Sequence, residues 1–232
     1  MLFQLRRELQ GLANHQQARI LQRFFKTGPG EYGEGDVFLG IKVPVQRSVA
    51  KKYPDLPFSE IQQLLRSKIH EHRMVALFVL VKQYENGDKL ARKNIFDLYL
   101  KNTKNINNWD LVDLSAPNIV GNYLLDKPRQ VLYKLAKSKL LWDRRISILA
   151  TLAFIRNNEF SDTYKLAEIL LNDKHDLMHK AVGWMLREAG KRDQNLEVKF
   201  LDRHARKMPR TMLRYAIEKF GPARRSHYLN LK

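Results

Sequence analysis

The segment Asn107-Asn108-Trp109-Asp110-Leu111-Val112-Asp113 sets an indole and a carboxylate four residues apart, on one face if the segment is helical. The surrounding chain is strongly basic, with 42 Lys and Arg against 24 Asp and Glu and a formal net charge of +18. An acid kept beside an aromatic plane in such a chain has two readings. In the chemical one, Trp109 and Asp113 form a surface with two other mixed patches, Trp142 with Arg144-Arg145, and Lys180 with Trp184 and Arg187. Aromatic planes interleaved with Arg and Lys favour nucleobases, sugars and cationic groups, through stacking and cation–π contacts. In the plainer one, each Trp is a core or lining residue. Asp113 then pairs with Arg145 or a similar base, or caps the helix that follows Pro117. Residue pattern alone leaves both open.

Other motifs carry less. Gly28-Pro29-Gly30-Glu31-Tyr32-Gly33 has the spelling G-x-G-x-x-G, but an amphipathic helix precedes it and Glu34-Gly35-Asp36 follows. A dinucleotide loop needs a strand before it and a helix N-terminus after it, and acids there repel phosphate, so no nucleotide cofactor is expected. His175 and His179 are four apart beside Asp176, yet no third ligand is evident and H-E-x-x-H is missing. No metal is expected there, and still less at His70-Glu71-His72. From Lys191 to Lys232 there are 12 Lys or Arg against four Asp or Glu. Arg203, Lys207, Arg210 and Arg214 fall close to one stripe if Pro209 begins a new helix in register. Together with the global excess, this favours a nucleic-acid partner over an anionic membrane.

The elements that must position these residues are helices. Ile61, Leu64, Leu65 and Ile69 follow a 3.6-residue period, and so do Met74, Leu77, Phe78 and Val81. The period returns at Ile146, Leu149, Ala150 and Ala153, and again at Ala181, Trp184, Met185 and Glu188. Breaks fall at Asn86-Gly87-Asp88, Asp126-Lys127-Pro128, Asn157-Asn158, Asn172-Asp173-Lys174 and Met208-Pro209. Strand alternation is scarce. Helix pairs of about 35–45 residues with short turns predict an all-α chain of HEAT-like antiparallel pairs. Pro117 predicts a kink after Asp113 or the start of a new helix. The stretch from Lys26 to Pro44, with five glycines, is the one long irregular segment and separates an N-terminal helical pair from the body.

Length and composition agree with a folded chain. At 232 residues, 44% of them hydrophobic, it can bury a real core. Cys is absent, which removes disulfides, thiolate metal sites and Cys nucleophiles. There is no run of 18 apolar residues, and Leu2-Phe3-Gln4-Leu5-Arg6-Arg7 turns polar too soon for a signal peptide. The expectation is a soluble, intracellular protein.

At these residues the chain resembles the AlkD-type DNA alkylation repair glycosylases, a family of HEAT-like-repeat proteins. Four stretches carry the likeness: Val37-Phe38-Leu39-Gly40-Ile41-Lys42-Val43-Pro44, Trp109-Asp110-Leu111-Val112-Asp113, Trp142-Asp143-Arg144-Arg145, and Lys180-Ala181-Val182-Gly183-Trp184-Met185-Leu186-Arg187-Glu188. Their order and spacing cover about residues 20 to 220. The resemblance implies a right-handed α-solenoid with a concave basic groove, one domain over residues 1–232 with the 28–44 Gly-rich loop within it, acting as a monomer. It implies a monofunctional glycosylase that excises N3- and N7-alkylpurines from double-stranded DNA without extruding the lesion, in the cytoplasm at the nucleoid. The family's catalytic Asp corresponds to Asp113, its lesion-side Trp pair to Trp109 and Trp184, and its phosphate-contacting Arg to Arg145. Arg144, Lys180 and Arg187 are further DNA-contact candidates. Phe24 stands where some members have a DNA-facing Tyr, and Lys42 where some have Gln.

A single carboxylate fits such a substrate. Ordinary glycosidases pair an acid that protonates the leaving group with a second carboxylate at the oxocarbenium-like centre. A cationic alkylpurine leaves as a neutral base, so the first is dispensable and no cofactor is needed. The rival expectation is a non-catalytic, structure-specific DNA-binding protein of the same fold. A protein-binding helical scaffold is third, distinguished by weak salt dependence of binding.

Overall fold

Apolar residues at three- and four-residue spacing fold as read, into helices. The computed structural model describes residues 1–231. Among them are fourteen α-helices and no strand beyond one isolated bridge between Val37 and Ile69. In order they are α1 (Leu2–Gly11), α2 (His15–Phe24), α3 (Val43–Ala50), α4 (Phe58–Leu65), α5 (His70–Asn86), α6 (Lys89–Lys101) and α7 (Trp109–Ser115). Then come α8 (Gln130–Ala136), α9 (Leu141–Arg156), α10 (Ser161–Ile169), α11 (Asp176–Gly190), α12 (Gln194–His204), α13 (Arg210–Ala216) and α14 (Pro222–Asn230). No helix among the described residues is long and apolar enough to cross a membrane. The chain divides into two compact units, residues 1–111 and the part from Val112 onward; α7 begins in the first and ends in the second.

The first unit is organised on α5, against which α3, α4 and α6 pack. Every residue from His70 to Leu80 is buried, polar ones included. That is why its apolar period reads only weakly: a helix enclosed on all sides has no solvent face to contrast with. Asn14 caps α2 by accepting the Gln17 N–H at 2.9 Å, and Asp88 caps α6 through Ala91 N–H at 2.8 Å. The glycine-rich stretch is pinned rather than loose. Val37 donates to the Lys68 carbonyl (3.0 Å) and accepts from the His70 N–H (2.8 Å). The Glu71 carboxylate accepts the backbone N–H groups of Leu39, Gly40 and Ile41 at 2.9, 2.8 and 3.2 Å. Gly40 makes this cradle possible. Its φ is +85°, and a Cβ there would sit 2.1 Å from the Asn14 carbonyl oxygen.

The second unit is built from helix pairs. α8 packs on α9, α10 on α11 and α12 on α11, while α9, α11 and α13 lie side by side. The short turns between successive helices make them antiparallel neighbours. α11 approaches α13 closely because residue 183 is glycine: a Cβ would meet the Met212 carbonyl oxygen at 2.4 Å. Pro117 ends α7 by the second of the two expected routes, beginning a new helical element. It has no N–H to donate, the ladder slips, and a π-helical turn runs over Pro117–Gly121. There the Gly121 N–H reaches back five residues to the Ala116 carbonyl at 2.9 Å. As the C-terminal stripe required, a new helix begins after Pro209. α12 stops at His204, Lys207 lies in the intervening turn and α13 starts afresh at Arg210, so the four cations are exposed without sharing a helix.

Candidate active site

Trp109 opens α7. Its indole stacks on Phe25, with centroids 5.2 Å apart and planes 17° apart. Phe25 stacks on Phe38 at 5.0 Å, and Phe38 on the His70 ring at 4.5 Å. Phe24 closes on the indole edge-on at 6.0 Å and is 62% exposed, an unusual placing for a large apolar ring. Trp109 itself is half-buried. This is a ring face on a wall of other rings, held flat by packing.

Beneath the pile lies a charged cluster that residue pattern did not disclose. His70 Nδ1 is 3.0 Å from Asp36 Oδ2 and its Nε2 is 2.9 Å from Asp110 Oδ2. Arg73 donates to Asp36 Oδ1 at 2.6 Å. Burial disfavours the charged imidazole, but Asp110 and Asp36 outweigh it and raise the His70 pKa to about 9. Burial likewise pushes the Asp36 carboxyl up, while His70 and Arg73 pull it below its ordinary value. Asp110 is therefore one end of this largely buried relay. His72, two residues on, goes the other way: burial and nearby Arg6 and Arg73 push it down to about 4. The only sequence signal was the run His70-Glu71-His72, read above for metal. Each of its members instead has a separate structural partner, with His72 Nδ1 against Ser67 Oγ at 3.0 Å.

Asp113 lies one turn beyond Trp109 on α7 and belongs to the second unit. Arg145 on α9 grips it with two parallel bonds, Nε to Oδ1 and Nη2 to Oδ2, both 2.8 Å. The third arm, Nη1, donates to the Leu177 carbonyl on α11 at 2.6 Å. Arg145 is only 4% exposed, whereas the Asp113 side chain is 18% exposed. Arg145, expected at a phosphate, makes these internal contacts. Its guanidinium faces an acid and a carbonyl, and the carboxylate is what reaches the surface. The plainer reading of Asp113, a pair with Arg145, is present in the structure and does not remove the acid from solvent.

Trp184 sits on α11, half-buried, with its Nε1–H donating to Glu188 at 3.2 Å. Lys180 and Arg187 share its face at helical spacing. Lys180 reaches Asp176 at 2.7 Å with 41% of its side chain exposed. Arg187 pairs with Glu218 and Glu188 and is 15% exposed. Arg144 is a staple: it binds Asp173 at 2.6 Å and the Ser138 and Lys139 carbonyls at 3.0 and 2.9 Å, tying the α8–α9 turn to the α10–α11 turn. Of the expected DNA contacts, Lys42 is exposed at the start of α3; Lys180, partly exposed, and Arg144, Arg145 and Arg187 are each paired with an acid. Trp142 is core, 5% exposed.

The discounted motifs have structural employment. His175 Nδ1 caps α11 by accepting the Leu177 N–H, and His179 bonds the Asp173 carbonyl. In the glycine loop, the Gly28 and Gly30 amides donate to the carboxylates of Glu31 and Glu34 at 2.8 and 2.9 Å. Acids of the loop itself occupy the places a phosphate would take.

Comparison with known proteins bears on this geometry. The family described as "DNA alkylation repair enzyme" matches residues 5–220. Among solved structures the chain is similar to a "Predicted DNA alkylation repair enzyme from Enterococcus faecalis", with a TM-score of 0.70 over 90% of this chain and 97% of that one. Identity is 15%, so that likeness shows the fold alone. No curated protein matches.

Proposed function

The chain belongs to the DNA alkylation repair enzyme family, and on that premise we propose that it is a monofunctional DNA glycosylase. Its substrates are cationic N3- and N7-alkylpurines in duplex DNA. The observation that carries this reading is the Asp113–Arg145 pair: a carboxylate fixed in direction by a buried guanidinium, yet open to the surface. Cleavage of the C1′–N bond sends its electron pair to the already cationic purine, which departs neutral. Positive charge then develops on the deoxyribose. Asp113 stabilises that charge, and water adds to C1′, losing its proton to the carboxylate or to solvent. No acid is needed at the leaving group, in contrast to ordinary glycosidases.

Trp109 and Trp184 shield the sugar, presenting electron-rich faces to the cation. Exposed Phe24 extends the aromatic wall. Lys42, Lys180 and the exposed cations Arg203, Lys207, Arg210 and Arg214 supply the field and contacts for the phosphate backbone. Arg145 acts through Asp113 rather than on phosphate.

The test is release of 7-methylguanine and 3-methyladenine from methylated duplex DNA under single turnover. Asp113→Asn is expected to abolish release while binding to the same duplex survives. Undiminished release by that variant sinks the mechanism. Tight binding to junctions or bulges with no release by the unaltered protein points to the non-catalytic rival.

A further inference from the structure

We infer that His70 is a positioning residue: clamped between Asp36 and Asp110, it fixes the indole of Trp109 for the role proposed above. The inference rests on that reading for its functional consequence, but the clamp itself stands on geometry. Both ring nitrogens face carboxylate oxygens, at 3.0 and 2.9 Å, and an ionised carboxylate only accepts hydrogen bonds. Both nitrogens must therefore carry hydrogen, and the ring is an imidazolium. Charge balance agrees. Asp36 and Asp110 are matched by His70 and Arg73, and a neutral ring would leave a net negative cluster in a place where His70 is 2% exposed.

Two arms lead from this node to Trp109. The first is backbone. Asn108 donates to Asp36 at 3.4 Å and accepts the Trp109 N–H at 2.8 Å. On the other side, Asp110 is bound to His70 and accepts the Leu111 N–H at 2.8 Å. Both residues flanking Trp109 are thus tied to the same buried cluster. The second arm is the ring pile. His70 stacks on Phe38, Phe38 on Phe25 and Phe25 on Trp109, with successive planes inclined by 21°, 20° and 17°. Glu71 holds the neighbouring amides of Leu39, Gly40 and Ile41, so the segment bearing Phe38 is fixed as well. A shift of the imidazole is felt at the indole through both routes.

The experiment uses the full chain with His70→Gln and, separately, Asp110→Asn. The second residue is partly exposed and keeps its shape, so it decides the matter if the first variant does not fold. The indole N–H resonance of Trp109 is read by ¹H–¹⁵N correlation and assigned by its loss in Trp109→Phe. The imidazole nitrogens are read alongside. Expected are two protonated nitrogens on His70 at neutral pH, and a shifted or broadened Trp109 indole signal in both variants. The Trp142 and Trp184 signals stay in place. Base release falls about ten- to a hundredfold, as a misplaced wall would cause, with duplex affinity unchanged. A folded Asp110→Asn protein with a wild-type Trp109 signal and wild-type release overturns the clamp. So does a variant that merely loses stability while signal and rate per folded molecule stay put. If the unaltered protein releases no base, the glycosylase reading falls, and the indole signal alone decides the clamp.

Discussion

Each unit holds one acid–base cluster that draws an acid from α7, and the two are built differently. Around His70, two acids and two bases neutralise one another, with His70, Asp36 and Arg73 out of solvent and Asp110 at the edge of the cluster. At Asp113, one guanidinium, itself anchored on the Leu177 carbonyl, grips the acid, and the acid keeps a solvent-facing side. A carboxylate intended only to stabilise a fold is best enclosed by its partners, as Asp36 is. Asp113, by contrast, is gripped by a buried guanidinium while its side chain stays 18% exposed. The difference lies in how the partners are disposed rather than in how many charges are present.

Experiments can break this contrast in order of effect. The largest is Asp113→Asn, for which loss of at least about a hundredfold in base release is expected; a comparable loss from Asp36→Asn would erase the distinction. Next is Arg145→Lys, which keeps the charge but loses the fork. Release should fall about tenfold and unfolding free energy by about 1–3 kcal/mol, measured by denaturant titration. Equal activity would mean that orientation of Asp113 is immaterial.

A third test is pH dependence. His70 titrates near 6.5 when unfolded and near 9 when folded. Its contribution is therefore full below about pH 6.5 and is lost as pH rises through 9. The groups facing it are Asp36, Asp110 and Arg73, so the loss belongs to this cluster. The melting temperature should drop between pH 7 and 9.5, and that part of the slope should vanish in His70→Gln. The smallest effect is at Glu197, 2% exposed on α12, whose Oε1 has no hydrogen-bond partner. Burial pushes its carboxyl up to about 8, against a weaker pull from Arg187. The stability linked to its protonated form is complete below about pH 4.5 and lost as pH rises through 8. Glu197→Gln should raise the melting temperature at pH 8.5 by a few degrees, at about 2–4 °C per kcal/mol. No change there would mean that the acid already finds a way to ionise.

What could be read from residues alone follows the range of the interactions. Helices with one apolar face, such as those carrying Ile61, Leu64 and Leu65, or Ala181 and Met185, announced themselves by period. So did the break at Pro117, although period says nothing of a π turn, which depends on which carbonyl the Gly121 N–H finds. The i, i+4 relation of Trp109 and Asp113 was legible because it is local, and Arg145 was among the partners it suggested. The clamp was not legible. Asp36, His70 and Asp110 are separated by 34 and 40 positions, and an enclosed histidine spells the same as a solvated one. The burial of Arg145 was not legible either. A basic residue near an acid reads as a surface cation until the packing of α9 against α11 turns it inward.

The third donor of Arg145 ends on the main-chain carbonyl of Leu177, not on a side chain. Every amino acid carries that oxygen, so no single substitution at position 177 deletes it. The anchor of the carboxylate is thereby insulated from genetic drift at its own attachment point. It also goes unrecorded in any tally of residue identities. A scan of side chains at position 177 would miss it. Only displacement of the whole backbone of α11 at that turn would reveal that Asp113 is aimed from there.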